Sequence, residues 1–129
     1  MEVIIKHQEQ RRFTVKSGEH EFILDLPSAK GGTDKGMGPT QAFLGSLGAC
    51  VAVYAQVYCS NAKIPAEGFT IKINAQLSDE KPVRFSHIDI KIDLGIDLKD
   101  RAQAFLNFVK NCPIHNTVAT HPEIAISVA

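Results

Sequence analysis

Between Lys35 and Lys63 no side chain carries a charge, and that stretch limits what a chain of 129 residues can fold into. Pro39 suits a first helical position, where its missing N–H has no partner to lose, and the pattern runs helical from there to residue 62. A segment this long and apolar is either a membrane span or a helix surrounded by protein. Gln41, Ser46, Gln56 and Ser60 interrupt it, and the rest of the chain is an ordinary mixed sequence. The reading is therefore a long buried central helix at residues 39–62 and no membrane association. One small sheet and one further helix would struggle to cover that helix on every side. Gly45, Gly48, Ala49 and Ala52 leave a face with little side-chain bulk, against which the same helix of a second subunit can approach closely. A homodimer with this helix near its centre is the expectation.

Residues 3–6, 13–16 and 21–26 are short β-branched or aromatic runs parted by turns such as Lys16-Ser17-Gly18-Glu19, which predicts an antiparallel meander over residues 1–27. Residues 28–38 shift to Gly, Lys, Asp and Ser and read as a flexible loop, a lid over an interface pocket. Within residues 67–129, segments 69–77 and 85–94 alternate Ile71, Ile73, Ala75 and Ile88, Ile90, Ile92 with polar side chains, as half-buried strands do. Residues 97–111 place Leu98, Ala102, Phe105, Leu106 and Val109 on one face of an amphipathic helix that breaks before Pro113. Ile124, Ile126 and Val128 alternate along residues 123–128 and predict a closing strand. The fold class is α+β, with antiparallel sheets about a long helix in a single domain of residues 1–129.

The charges cancel, 14 Lys+Arg against 14 Asp+Glu, so no net field draws the chain to nucleic acid or an anionic membrane. Residues 1–7 show neither a basic leader nor a long apolar core, and the expected location is the cytoplasm. Three cysteines are too few for a secreted disulfide scaffold, and a cysteine pair in a reducing compartment is more often catalytic than structural.

Cys50 alone reads as an inert thiol inside an apolar helix. Cys112 lies where the amphipathic helix must stop, beside Pro113, placed to cap a following short turn whose free N–H groups favour a thiolate. Cys59 is out of phase with Cys50 on the same helix and reads as structural. Cys112 and His115 supply two metal ligands where four are usual, and no metal site is expected. The glycine-containing loop lacks the Lys-Ser/Thr ending of a phosphate-binding loop.

Periodicity does not bring Cys50 and Cys112 together, but a resemblance does. The segment Gly38-Pro39-Thr40-Gln41-Ala42-Phe43-Leu44-Gly45-Ser46-Leu47-Gly48-Ala49-Cys50 resembles the first signature of the osmotically inducible/organic hydroperoxide resistance (OsmC/Ohr) family, a proline, an acidic or amide residue and a small-residue helix ending in a peroxidatic cysteine. Cys112-Pro113-Ile114-His115 is similar to its second signature, and the intervening strands and helix follow in the family's order.

That resemblance implies an intertwined α+β homodimer that reduces organic hydroperoxides with no metal or organic cofactor. By it, Cys50 attacks the terminal peroxide oxygen as a thiolate, Cys112 resolves the sulfenic acid, and a dithiol or thioredoxin-like donor reopens the disulfide. An unperturbed cysteine has a pKa of about 8.5 and apolar burial raises it, so a cation is needed nearby. The family uses an arginine held by an acidic partner, and Arg12, before Phe13, resembles that arginine. Where relatives carry glutamate this chain has Thr40 and Gln41, and the carbonyl oxygen of Gln41 is the group left to orient a guanidinium. Phe43, Leu47, Val51 and Tyr54 share the helical side of Cys50 and are candidates for an apolar substrate pocket. Two alternatives stay open: a non-catalytic redox-sensing or ligand-binding module, and a structural disulfide worth about 4 kcal/mol on the chain-entropy model.

Overall fold

The computed structural model describes residues 1–129, which form two compact units, Met1–Gly45 and Ser46–Ala129, with the boundary inside a helix. The architecture is mixed α+β, with two antiparallel sheets and three α-helices.

In the first unit, β1 (Ile4–Glu9), β2 (Arg12–Ser17) and β3 (His20–Leu24) form an antiparallel meander in the order β1-β2-β3. Both hairpins close through two-residue turns, and Gly18 there takes φ of 58°, a left-handed value that glycine adopts without a Cβ clash. The register puts Ile5, Val15 and Phe22 on one face of the sheet, of which Val15 is buried while Ile5 and Phe22 remain more than half exposed. Residues 25–38 are not a free loop. Asp25 is fully buried and its carboxylate collects backbone N–H groups from Leu26, Thr33 and Lys35, so successive turns fold around it.

The long helix, α1 (Pro39–Asn61), has the length expected from the proline start and the uncharged run. Gly38 precedes it as the cap position, and the Gln41 side chain reaches back to the Gly38 N–H at 2.7 Å, one half of a capping box. By length and composition α1 could cross a membrane, but Leu47, Gly48, Val51, Ala55 and Cys59 are buried against protein. Gly45, Ala49, Val53 and Val57 are exposed along one flank, so the single chain leaves α1 partly uncovered, as the small number of its elements led one to expect.

In the second unit, β4 (Thr70–Leu77) and β5 (Phe85–Asp93) pair antiparallel with Ile71 opposite Ile92 and Ile73 opposite Ile90. Their alternating isoleucines meet the α1 face where Gly48 sits, and a Cβ on Gly48 would lie 2.5 Å from Ile73 Cδ1. The core gathers Val51, Ala55, Cys59, Leu94, Phe105, Val109 and Cys112. Tyr58 meets Phe105 edge-on at 5.3 Å between ring centroids, the T-shaped arrangement that aromatic quadrupoles favour.

Three expectations for this half need correction. The helix predicted over residues 97–111 is α-helical only as α2 (Ala102–Val109), after a single 3-10 turn at Lys99–Arg101. Asp97 accepts the Lys99 N–H at 2.9 Å, and such local side-chain bonding competes with the first helical turn. Beyond Cys112 the chain makes a full helix, α3 (Pro113–Thr120), rather than a short turn. The closing strand at residues 123–128 is absent. Ile124, Ile126 and Val128 are at least 75% exposed, and the segment joins neither sheet of its own chain.

Candidate active site

Cys50 sits on α1 beside buried Val51, on a partly exposed turn of the helix. Cys112, fully buried, is the N-cap of α3: its backbone is extended (φ −63°, ψ 137°) and its sulfur accepts the His115 N–H at 3.2 Å. Pro113 follows at the first helical position, where its fixed φ favours the turn. The helix start thus fixes the rotamer of Cys112, and the Cys50 thiol is a neighbour that acts on its ionisation. Both are free thiols.

Their surroundings separate the two sulfurs. Burial pushes the Cys112 thiol up from its ordinary value; the His115 N–H opposes this, the neighbouring Cys50 raises it again, and the Ile114 N–H makes the smallest contribution, downward, so that the net direction is up. Cys112 therefore keeps its proton at neutral pH. The N–H groups at the helix start do not turn it into a thiolate, because desolvation outweighs them. Cys59, also buried, is raised by desolvation alone.

Beside Val51 lies an apolar cavity of about 240 Å³ lined chiefly by Ile88, Ile90, Ile92, Leu106 and Val109, with Lys110 and His115 as its polar members. Leu47 and Tyr54 are not among its lining residues. Leu47 is buried, Tyr54 packs on Phe108 at 5.7 Å between rings, and Phe43 lies in the exposed early part of α1. Helical phase alone favoured residues of α1 for a pocket. The isoleucine alternation of β5 and the apolar face of α2 were the signals that named these walls.

In the first unit Arg12 opens β2 with its guanidinium held from two sides. Nη2 pairs with the carboxylate of Glu9, and Nη1 donates to Thr33 Oγ1 at 3.3 Å. An arginine held by an acid is thus present, the acid coming from β1 and not from the start of α1. Gln41 spends its carbonyl oxygen on the Gly38 N–H. Glu9, Thr33 and Asp25 escaped the sequence reading, since only the β1–β2 register and the loop fold bring them to Arg12. No group of three or more His, Cys, Asp or Glu side chains converges as a metal site.

A family model described as OsmC-like protein matches residues 32–127. The chain belongs to the OsmC-like protein family. Its fold is that of solved members. An OsmC-like protein from Mycoplasma pneumoniae superposes with a TM-score of 0.77 at 23% identity, over 93% of this chain and 87% of that one. An organic hydroperoxide resistance protein OsmC from Legionella pneumophila gives 0.64 at 19% identity, over 93% and 90% of the two chains. A third, an organic hydroperoxide resistance protein from Elizabethkingia anophelis, gives 0.64 at 20% identity, over 94% and 90%. No curated protein matches the sequence.

Proposed function

We propose that this protein is a cytoplasmic, homodimeric thiol peroxidase that reduces organic hydroperoxides through Cys50 and Cys112. The observation that carries the reading is the meeting of the two thiols, one partly exposed and one buried and protonated. The Cys50 thiolate attacks the terminal peroxide oxygen, the O–O bond breaks, and the departing alkoxide takes a proton to become an alcohol. Cys50 is left as a sulfenic acid. Cys112 then attacks it, its thiol proton leaves with the hydroxyl as water, and an S–S bond forms. A dithiol or thioredoxin-like donor returns both sulfurs to thiols and is itself oxidised to a disulfide. Arg12, held by Glu9, is the proposed cation favouring the thiolate.

A homodimer is supported by the exposed flank of α1, by the uncovered face of the β1–β3 sheet, and by the unpaired apolar alternation after α3. Peroxide titration with mass spectrometry tests the chemistry. One equivalent of cumene hydroperoxide should yield a Cys50–Cys112 linkage that dithiothreitol reverses, and Cys50→Ser should abolish turnover. Full turnover in that variant would reject the proposal.

The apolar cavity beside Val51 favours a second reading, a non-catalytic module that holds a small apolar ligand. Steady-state turnover with cumene hydroperoxide and a dithiol no faster than that of free thiol would select it.

A further inference from the structure

The carboxylate of Asp25 is fully buried yet faces no cation. Its partners are the backbone N–H groups of Leu26 at 2.7 Å, Thr33 at 3.2 Å and Lys35 at 3.1 Å, together with the Thr33 hydroxyl at 2.5 Å. Gly32 lets the turn close this tightly, for a Cβ there would lie 1.9 Å from the Leu26 carbonyl oxygen and 2.7 Å from Asp25 Oδ1.

The hydroxyl is the informative member. Threonine has one hydroxyl proton and two lone pairs, and the proton is committed to Asp25 Oδ2. The lone pairs are thereby left for the Arg12 Nη1, which donates to the same oxygen at 3.3 Å. Without the carboxylate the hydroxyl is free to rotate and to turn its proton toward the guanidinium. Glu9 holds the other terminal nitrogen, so the two anchors together fix the plane of a side chain that otherwise has several rotamers.

We infer that Asp25 and Thr33 are positioning residues for Arg12, a buried carboxylate orienting a hydroxyl that in turn orients the guanidinium. The inference rests on the reading in which Arg12 favours the Cys50 thiolate. It adds a second holding device, independent of Glu9, built from a loop that composition alone presents as unstructured.

The test uses full-length protein and two readouts, the rate of Cys50 oxidation by cumene hydroperoxide and the pH at which Cys50 reaches half its maximal rate of iodoacetamide alkylation. Thr33→Val keeps the three backbone donors to Asp25 and so keeps the loop closed, whereas Asp25→Asn turns one acceptor oxygen into an NH2 donor and so disturbs backbone bonds as well. Thr33→Val should slow oxidation about tenfold and raise the alkylation midpoint, as expected for loss of one hydrogen bond to a charged group. Thr33→Ser should restore both. If Thr33→Val matches the native protein while Arg12→Gln is impaired in both readouts, Arg12 retains its role and the positioning inference is wrong. An Arg12→Gln variant unchanged in both readouts overturns the role of Arg12 and the inference with it. Should the native protein show no peroxide turnover while Thr33→Val still raises the alkylation midpoint, the positioning stands and the peroxidase reading falls.

Discussion

Cys112 Sγ accepts the His115 backbone N–H at 3.2 Å, so the sulfur that faces Cys50 is also the cap of α3. Replacing it therefore tests two roles at once. Cys112→Ala removes the cap and should destabilise the protein by about 1 kcal/mol relative to Cys112→Ser, whose hydroxyl is a stronger helix cap than a thiol. If packing alone mattered, burying a hydroxyl would place the serine variant at or below the alanine one. Urea unfolding of the two variants decides between these orders. Neither should form an internal disulfide on peroxide treatment.

The raised Cys112 and Cys59 thiols make an alkaline prediction. Each keeps its proton in the folded protein to a higher pH than when unfolded. Their contribution to stability is complete below about pH 8.5, the unfolded thiol value, and declines as pH rises through the folded values. Iodoacetamide at pH 7 should therefore label Cys50 well before buried, protonated Cys112. Peptide mapping at timed quenches measures the order, and equal rates for the two would contradict the assigned burial and protonation.

Asp25 predicts the opposite limb. Burial by itself would raise its carboxyl, but the hydrogen bonds from the Thr33 hydroxyl and the Lys35, Thr33 and Leu26 N–H groups prevail and lower it to about 2. A carboxyl lowered by folding stabilises fully above its unfolded value of about 3.9, and that contribution is lost as pH falls from there toward 2. Urea midpoints should fall more steeply between pH 4 and pH 2 in the native protein than in Asp25→Asn. Parallel slopes would show that the carboxylate contributes nothing in that window.

The strands were legible because their side chains alternate: the isoleucines of β4 and β5 fix the buried face whatever the rest of the chain does. Both ends of α1 were legible too, from Pro39 and from the end of the uncharged run. The candidate cysteines could be named, though periodicity could not pair them. The capping role of Cys112 beside Pro113 was legible, but it starts α3, an eight-residue helix where the sequence suggested only a short turn. The Arg12 network was hidden. Glu9 meets Arg12 across a hairpin with a bulge, and Asp25 meets Thr33 only because the loop between them turns back on itself.

Gly45 and Gly48 looked equivalent as members of one small-residue face, and the structure separates them. Gly48 is filled by Ile73, whereas a Cβ on Gly45 meets nothing within 4 Å. Gly48→Val should cost about 1–3 kcal/mol through overpacking against β4. Gly45→Ala should stabilise an isolated chain by up to about 1 kcal/mol through helix propensity. In the proposed homodimer Gly45→Leu should in addition weaken self-association, which sedimentation equilibrium measures. Unchanged association would remove this flank from the interface.

Residues 123–128 give a further test of assembly. Their alternation is that of a strand, yet Ile124, Ile126 and Val128 are exposed at 75%, 92% and 97% and pair with nothing in their own chain. Edge strands stand ready to receive such a segment, among them β1, whose residues are all exposed. In the proposed homodimer the segment comes from one protomer and pairs with the other, burying side chains that a lone chain leaves in water. Ile126→Asp should then lower dimer affinity at least about tenfold, a loss consistent with a buried isoleucine being worth roughly 1.5–3 kcal/mol. Amide exchange along residues 123–128 should slow as protein concentration rises through the dimer range. A segment that exchanges freely at every concentration, with Ile126→Asp still fully dimeric, would mean that these residues play no part in assembly.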